Sequence, residues 1–135
     1  MQFFLVKSEP SVYSFEQLMK DGKTTWDGIR NYAARLHLQA MKKGDKVLFY
    51  HTGTERQVVG IAHVSKPAFA DPTDSSGQWL AVELEPVRSL KKPVTLAVIK
   101  GHKLLKNMAL VRIGRLSVMP VTRQEFETIV QLSQS

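Results

Sequence analysis

Cysteine is absent from this 135-residue chain, which removes disulfides, thiolate zinc sites and thiol nucleophiles from consideration. No apolar run reaches the ~18–20 residues that a membrane-spanning helix needs, so no membrane partner is expected. The usual catalytic and phosphate-binding signatures are missing as well. There is no G-x-x-x-x-G-K-[ST] loop, no G-x-G-x-x-G turn and no G-x-S-x-G elbow. The four histidines, His37, His51, His63 and His102, fall at none of the close spacings that hold a metal, and no metal site is expected. Acidic residues are few: 12 Asp and Glu stand against 19 Lys and Arg, a formal net charge of +7. The positive charges are spread along the chain, and such a surface favours anionic partners, nucleic acid among them. The opening Met1-Gln2-Phe3-Phe4-Leu5-Val6-Lys7 has neither a basic leader nor a small-residue cleavage site. It reads as a first strand and not as a signal peptide, and a cytoplasmic protein is expected.

What is present centres on one stretch, Thr25-Trp26-Asp27-Gly28-Ile29-Arg30-Asn31-Tyr32-Ala33-Ala34-Arg35. Asp27-Gly28 reads as a turn, because Gly accepts positive φ and Asp bonds its own backbone. Asn31 is placed to N-cap a following helix through its side-chain oxygen. A flat ring beside fixed polar groups suits a nucleobase. A Trp beside a turn is more commonly a core anchor, and the residues alone leave both readings open.

Along the chain, Phe3 to Lys7 is a strand stopped near Pro10. Ser14-Phe15-Glu16-Gln17 fits a capping box, with Ser14 as N-cap and Gln17 reaching back, and Phe15, Leu18 and Met19 sharing the apolar face. Tyr32 to Lys43 reads as a helix with two apolar rows, Ala33, Leu36 and Ala40 beside Ala34, Leu38 and Met41. Strands are expected near Val47–Tyr50, Gln57–Ser65 and Trp79–Val87, with Pro67 to Gln78 as loop. Gly60 inside a strand suggests a bulge or a place where another backbone comes close. Thr95 could cap a short helix through Lys100, and Lys103 to Met108 could form another. Arg115-Leu116-Ser117-Val118 reads as a last strand closed by Pro120. Thr122-Arg123-Gln124-Glu125 is a second capping box, and the end from Ser133 is expected to fray. No repeat, linker or low-complexity run divides the chain, so a single domain over residues 1–135 is expected.

Several blocks then fall in a recognisable order. They are Lys7-Ser8-Glu9-Pro10, the Thr25–Tyr32 stretch with Ala34-Arg35, Phe49-Tyr50-His51, Val59-Gly60-Ile61-Ala62, and Arg115-Leu116-Ser117-Val118 with Pro120-Val121-Thr122. In this combination, from Phe3 to about Val130, the chain resembles the EVE domain family. The resemblance implies an α+β, PUA-like fold: a small curved β-barrel with short flanking helices, related to the YTH domains that read methylated adenosine. It implies a non-catalytic reader of modified bases, chiefly modified cytosines in DNA, with no cofactor. The expected partner is DNA or RNA carrying a modified base, and the expected state is a monomer.

By motif position, the base pocket would lie between the barrel and the first helices. Its lining would be Ser8, Trp26, Asn31, Tyr32, His51, Arg115, Leu116 and Ser117, with Lys7, Arg30 and Arg35 holding phosphates. Three departures from the family stand out. The Pro67–Gln78 loop is shorter than in many relatives, and Ala33 and Met119 stand where Gln is usual. Two competing readings remain at this point. One is an enzyme acting on a small nucleobase-like or nucleotide metabolite, with His51 as base beside Ser8 or Glu9. The other is a scaffold whose basic face binds RNA without specificity.

Overall fold

The computed structural model describes residues 1–135. Its strands are β1 (Phe3–Ser8), β2 (Thr24–Trp26), β3 (Lys46–His51), β4 (Gln57–Ala70), β5 (Leu80–Thr95) and β6 (Val118–Val121). Its helices are α1 (Phe15–Asp21), α2 (Tyr32–Ala40), α3 (Leu96–Gly101), α4 (Ala109–Arg112) and α5 (Arg123–Leu132). All six strands form one mixed sheet in the order β2-β5-β4-β3-β1-β6. β1 runs parallel to β3, and every other pair is antiparallel. The parallel pair is the one joined by a long crossover, through α1, β2 and α2, as a parallel connection requires.

β2 and β6 end the sheet without pairing to one another, so it curls without closing into the expected barrel. The curl has a visible cause. β4 and β5 form a long ribbon whose register shifts four times, between Val58 and Gly60, Ile61 and Ala62, Val64 and Lys66, and Lys66 and Phe69. Each unpaired residue bends its strand and adds twist. Pro67 and Pro86 sit at these irregularities, and the ribbon extends to Ala70, into the first residues of the stretch Pro67–Gln78 that reads as loop. Pro120 lies inside β6 and does not close it, which an edge strand tolerates because one side of its ladder is free.

The core lies between the sheet and the helices, with Leu5, Val6, Leu48 and Phe49 of the central strands wholly enclosed. In α2 only the row Ala34, Leu38 and Met41 is buried, and Leu36 of the other row is exposed. In α1, Phe15 and Leu18 point inward and Met19 does not. Gly60 admits a side chain, not a backbone: a Cβ there would sit within the Phe15 ring.

The helix starts follow local chemistry. Asn31 Oδ1 accepts from Ala34 N at 2.9 Å, and Thr95 Oγ1 accepts from Val98 N at 3.2 Å. Thr122 and Glu125 complete a reciprocal capping box. Ser14 caps α1, but the Gln17 amide donates to Asp21 Oδ1 and does not reach back. The helix expected over Lys103–Met108 is a series of turns leading into α4. The chain end is held, with Ser133 fully buried.

Candidate functional site

The Asp27-Gly28 turn forms as read, with Gly28 at φ 77°. Ahead of it, β2 pairs Trp26 with Val82 of β5 and presses the indole against the sheet. Its ring meets Phe49 edge-on at 5.4 Å and Tyr13 at 6.4 Å. Trp26 is only 8 % exposed, so the core-anchor reading holds for most of its surface. The remaining surface faces a hollow of about 400 Å³. Val12 and Tyr13 form one wall, Thr24, Thr25 and Asp27 another, and Ser8 stands at the end of β1. This is an ordinary volume for a small-ligand pocket.

The hydrogen-bonding capacity of this hollow is specific. The Ser8 hydroxyl donates to Tyr13 O, which leaves its oxygen to accept. The Tyr13 hydroxyl donates to Asp21 Oδ2 at 2.8 Å. Burial, reinforced by Asp21 and opposed by Thr24, pushes the Tyr13 phenol above its ordinary pKa and keeps it neutral. Asp27 is exposed and is the one charged side chain in the lining.

The other residues expected here lie elsewhere. His51 is 7 % exposed, and both ring nitrogens are occupied. Nε2 accepts from Phe15 N at 3.0 Å, which places the proton on Nδ1, and Nδ1 then donates to Glu55 Oε1 at 2.9 Å. That hydrogen bond holds the Glu55 carboxyl below its ordinary pKa. His51 therefore pins the start of α1 to the end of β3 and has no nitrogen left for a ligand. Asn31 spends its oxygen on the cap. Tyr32, 64 % exposed, leans on Trp79 at 4.9 Å and accepts a hydrogen bond from the Gln78 amide.

Arg30 and Arg35 grip the same loop. Arg30 donates to Asp71 Oδ2 at 3.0 Å and lies over the Trp79 ring, and Arg35 Nε donates to Gln78 O at 2.8 Å. Asp71 is almost fully buried and also accepts from Gly28 N and from the Thr73 amide and hydroxyl. Burial alone would raise its pKa, but the Thr73 bonds, then Arg30 and Gly28, outweigh it and hold the carboxyl far below the usual range. These side chains form a clasp on the loop between β4 and β5.

Leu116 is buried, and Ser117 O accepts from Lys7 N at 2.9 Å as the chain approaches β6. Arg115 is exposed. None of the three lines the hollow beside Trp26. Lys7 points into a different cleft, where its ammonium donates to Gly114 O at 2.8 Å. Of the departures from the family pattern, Met119 is fully buried and cannot touch a ligand, whereas Ala33 is exposed. Of the expected lining, the hollow thus keeps Ser8 and Trp26. Sequence reading missed Val12, Tyr13, Thr24, Thr25 and Asp27 as walls, although Thr25 and Asp27 flank the Trp and could have been taken with it.

The open mixed sheet, flanking helices and hollow beside the first crossover define an α+β domain of the PUA-like kind. The chain belongs to the EVE domain family, whose pattern matches residues 2–132. It is 33% identical to human thymocyte nuclear protein 1 over 97% of this chain and 73% of that protein. Rpa0253 from Rhodopseudomonas palustris superposes with a TM-score of 0.95 at 41% identity, covering 99% of this chain and 94% of that one. Human THYN1 in complex with DNA containing 5-methylcytosine superposes at 0.91 with 32% identity, over 100% and 99% of the two chains.

Proposed function

We propose that this chain is a non-catalytic nucleic-acid-binding module that holds a modified cytosine of DNA in the hollow beside Trp26. The observation that carries the reading is the hollow itself, an indole-walled space of about 400 Å³ at the end of β1. The DNA-bound human relative supports the choice of ligand. Taking a base out of a duplex costs a few kcal/mol, and a preformed pocket must return it. Stacking against an aromatic ring is worth about 1–3 kcal/mol per base.

The polar walls suit cytosine. The Asp27 carboxylate and Ser8 oxygen can accept from its exocyclic amine, and the Thr25 hydroxyl can donate to its ring acceptors. Val12 and the Trp26 edge offer an apolar surface for a 5-methyl group. One methyl adds only a small contact, so discrimination of about 1–3 kcal/mol is expected. The non-catalytic part of the proposal is supported by His51, the one base an enzymatic reading could name, being tied to Phe15 and Glu55.

The test is binding to oligonucleotides of one sequence carrying cytosine, 5-methylcytosine or 5-hydroxymethylcytosine, single- and double-stranded, with matched RNA as a further arm. Tighter binding of a modified DNA, and weaker binding of every cytosine form in Asp27→Ala with the fold intact by circular dichroism, is the expected result. Equal affinity for all bases, or undiminished binding in Asp27→Ala, would overturn the reading. RNA binding that exceeds DNA binding would reassign the polymer.

A further inference from the structure

A second cleft lies on the opposite flank of the same strand end. Neighbouring residues of a strand point to opposite faces, so Ser8 faces the Trp26 hollow and Lys7 faces away from it. Lys7 pairs in register with Tyr50 across the β1–β3 ladder, and both line a cleft of about 250 Å³. Arg56 and Lys100 line it too, as do Thr52 and Gly53 of the β3–β4 turn. A further hollow of about 350 Å³ adjoins it, sharing Arg56, Leu96 and Lys100.

Three cations therefore face one cleft that no carboxylate lines, although Glu9 takes the Thr52 hydroxyl at its rim and Glu55 lines the adjoining hollow. None of the three takes part in any of the chain's ion pairs. The Lys7 ammonium is satisfied only by the Gly114 carbonyl. The backbone that carries Arg56 is unusual in the same direction. Arg56 is the one non-glycine residue in the left-handed region, at φ 45°, and its carbonyl is fixed by Leu96 N at 2.9 Å. A conformation that L-residues rarely adopt is held here by the start of α3 and sets this side chain at the cleft. Buried flanks make such charges matter more: half-burial lowers the Lys7 pKa, and a bound anion would relieve that strain. Elsewhere Arg30 spends its charge on Asp71, which shows how this fold treats an arginine it needs for itself.

We infer that the cleft between Lys7, Arg56 and Lys100 binds a phosphoryl group, with the Tyr50 hydroxyl beside it. Arg supplies planar paired donors and Lys supplies point charges, the combination that phosphate oxygens recruit. The group can come from the backbone of a nucleic acid or from a free phosphate monoester. The site does not depend on the function assigned to the Trp26 hollow.

The experiment follows backbone amide shifts of the ¹⁵N-labelled protein during titration with sodium phosphate, and separately with cytidine monophosphate. Sodium chloride at matched ionic strength is the reference. Saturable shifts at Thr52, Gly53 and Lys100 are expected with phosphate and not with chloride. Lys100→Ala and Arg56→Gln, both at exposed side chains, should each weaken that binding about tenfold, the weight of one charge-assisted hydrogen bond. Trp26→Phe should leave it unchanged, which separates failure of this site from failure of the hollow. Phosphate shifts no larger than those of chloride, or equal binding by the Arg56→Gln/Lys100→Ala double variant, would overturn the assignment. A methylcytosine oligonucleotide then identifies the source. Weakened by Lys100→Ala, it marks a backbone phosphodiester; unaffected while phosphate binding falls, it marks a free monoester.

Discussion

Trp26 and Asp27 border an open hollow, whereas Arg30, Tyr32 and Arg35, a few residues further on, are turned into the loop that joins β4 to β5. Both regions combine an indole with polar side chains. In the clasp, Asp71 receives bonds from Gly28, Arg30 and Thr73 and keeps no capacity for anything else. Around the hollow, Asp27 is exposed, and the Ser8 oxygen can still accept. A polar cluster beside an aromatic ring is therefore not in itself a site. What separates the two is whether the polar groups satisfy one another.

Breaking the clasp should have the largest effect on the fold and only an indirect one on binding. Asp71→Ala removes the acceptor of a buried network and strands Arg30 and the Gly28 and Thr73 amides, at about 2–4 kcal/mol. Chemical denaturation of the variant measures this. The same carboxylate predicts an acid limb. Its folded pKa lies below the ordinary 3.8, so its contribution is complete above that value and drains away as pH falls toward the folded one. Unfolding midpoints measured from about pH 6 to pH 2 should drop below about pH 4, and Asp71→Asn should flatten that limb. A variant that is as acid-sensitive as the wild type would assign the limb to other carboxylates.

Beneath the hollow, Gly60→Ala comes next. The added methyl meets the Phe15 ring, which is itself packed edge-on against Phe49 at 5.3 Å. Overpacking of this kind costs about 1–3 kcal/mol, read as a lower thermal midpoint. Because α1 carries Phe15 and follows directly on Val12 and Tyr13, base affinity should fall along with stability, whereas Asp71→Ala should separate the two.

Trp26→Phe sharpens the contrast from the other side. Phenylalanine keeps the contact with Phe49 and fills most of the space, so stability should fall by about 1–2 kcal/mol. Binding of the modified oligonucleotide should weaken about three- to tenfold, from the loss of part of the stacking surface. The matching change in the clasp, Trp79→Phe, should leave that binding near the wild-type value.

The features that were legible in the sequence are those decided within a few residues. Ser14, Asn31, Thr95 and Thr122 all cap their helices, because an N-cap bond spans three positions. The Asp27-Gly28 turn is local in the same way, whereas the last strand, expected over Arg115–Val118, forms instead at Val118–Val121 with Pro120 inside it. A proline reads as a break in a strand, and only the pairing with β5 shows that Pro67 occupies a bulge. His51 looked available because its partner, the amide of Phe15, lies 36 residues away. Arg30 looked available for phosphate because Asp71 lies 41 residues away. Ser8 and Trp26 were found because the strand end and the turn that place them are set by their own neighbours.

Arg115 supplies the smallest and most diagnostic test of the remaining basic surface. It is exposed and joins none of the chain's ion pairs, so Arg115→Ala should change stability by no more than about 0.5 kcal/mol. If it holds a phosphate, the variant should bind every sequence more weakly by a similar factor. The slope of log affinity against log salt should then shrink by about one. The preference between cytosine and 5-methylcytosine should not move, because a backbone contact positions the strand and carries no base information. Asp27→Ala should weaken cytosine and 5-methylcytosine alike with the salt slope kept, because the amine it accepts from is common to both bases. An Arg115 variant with an unaltered slope would remove this residue from the interface.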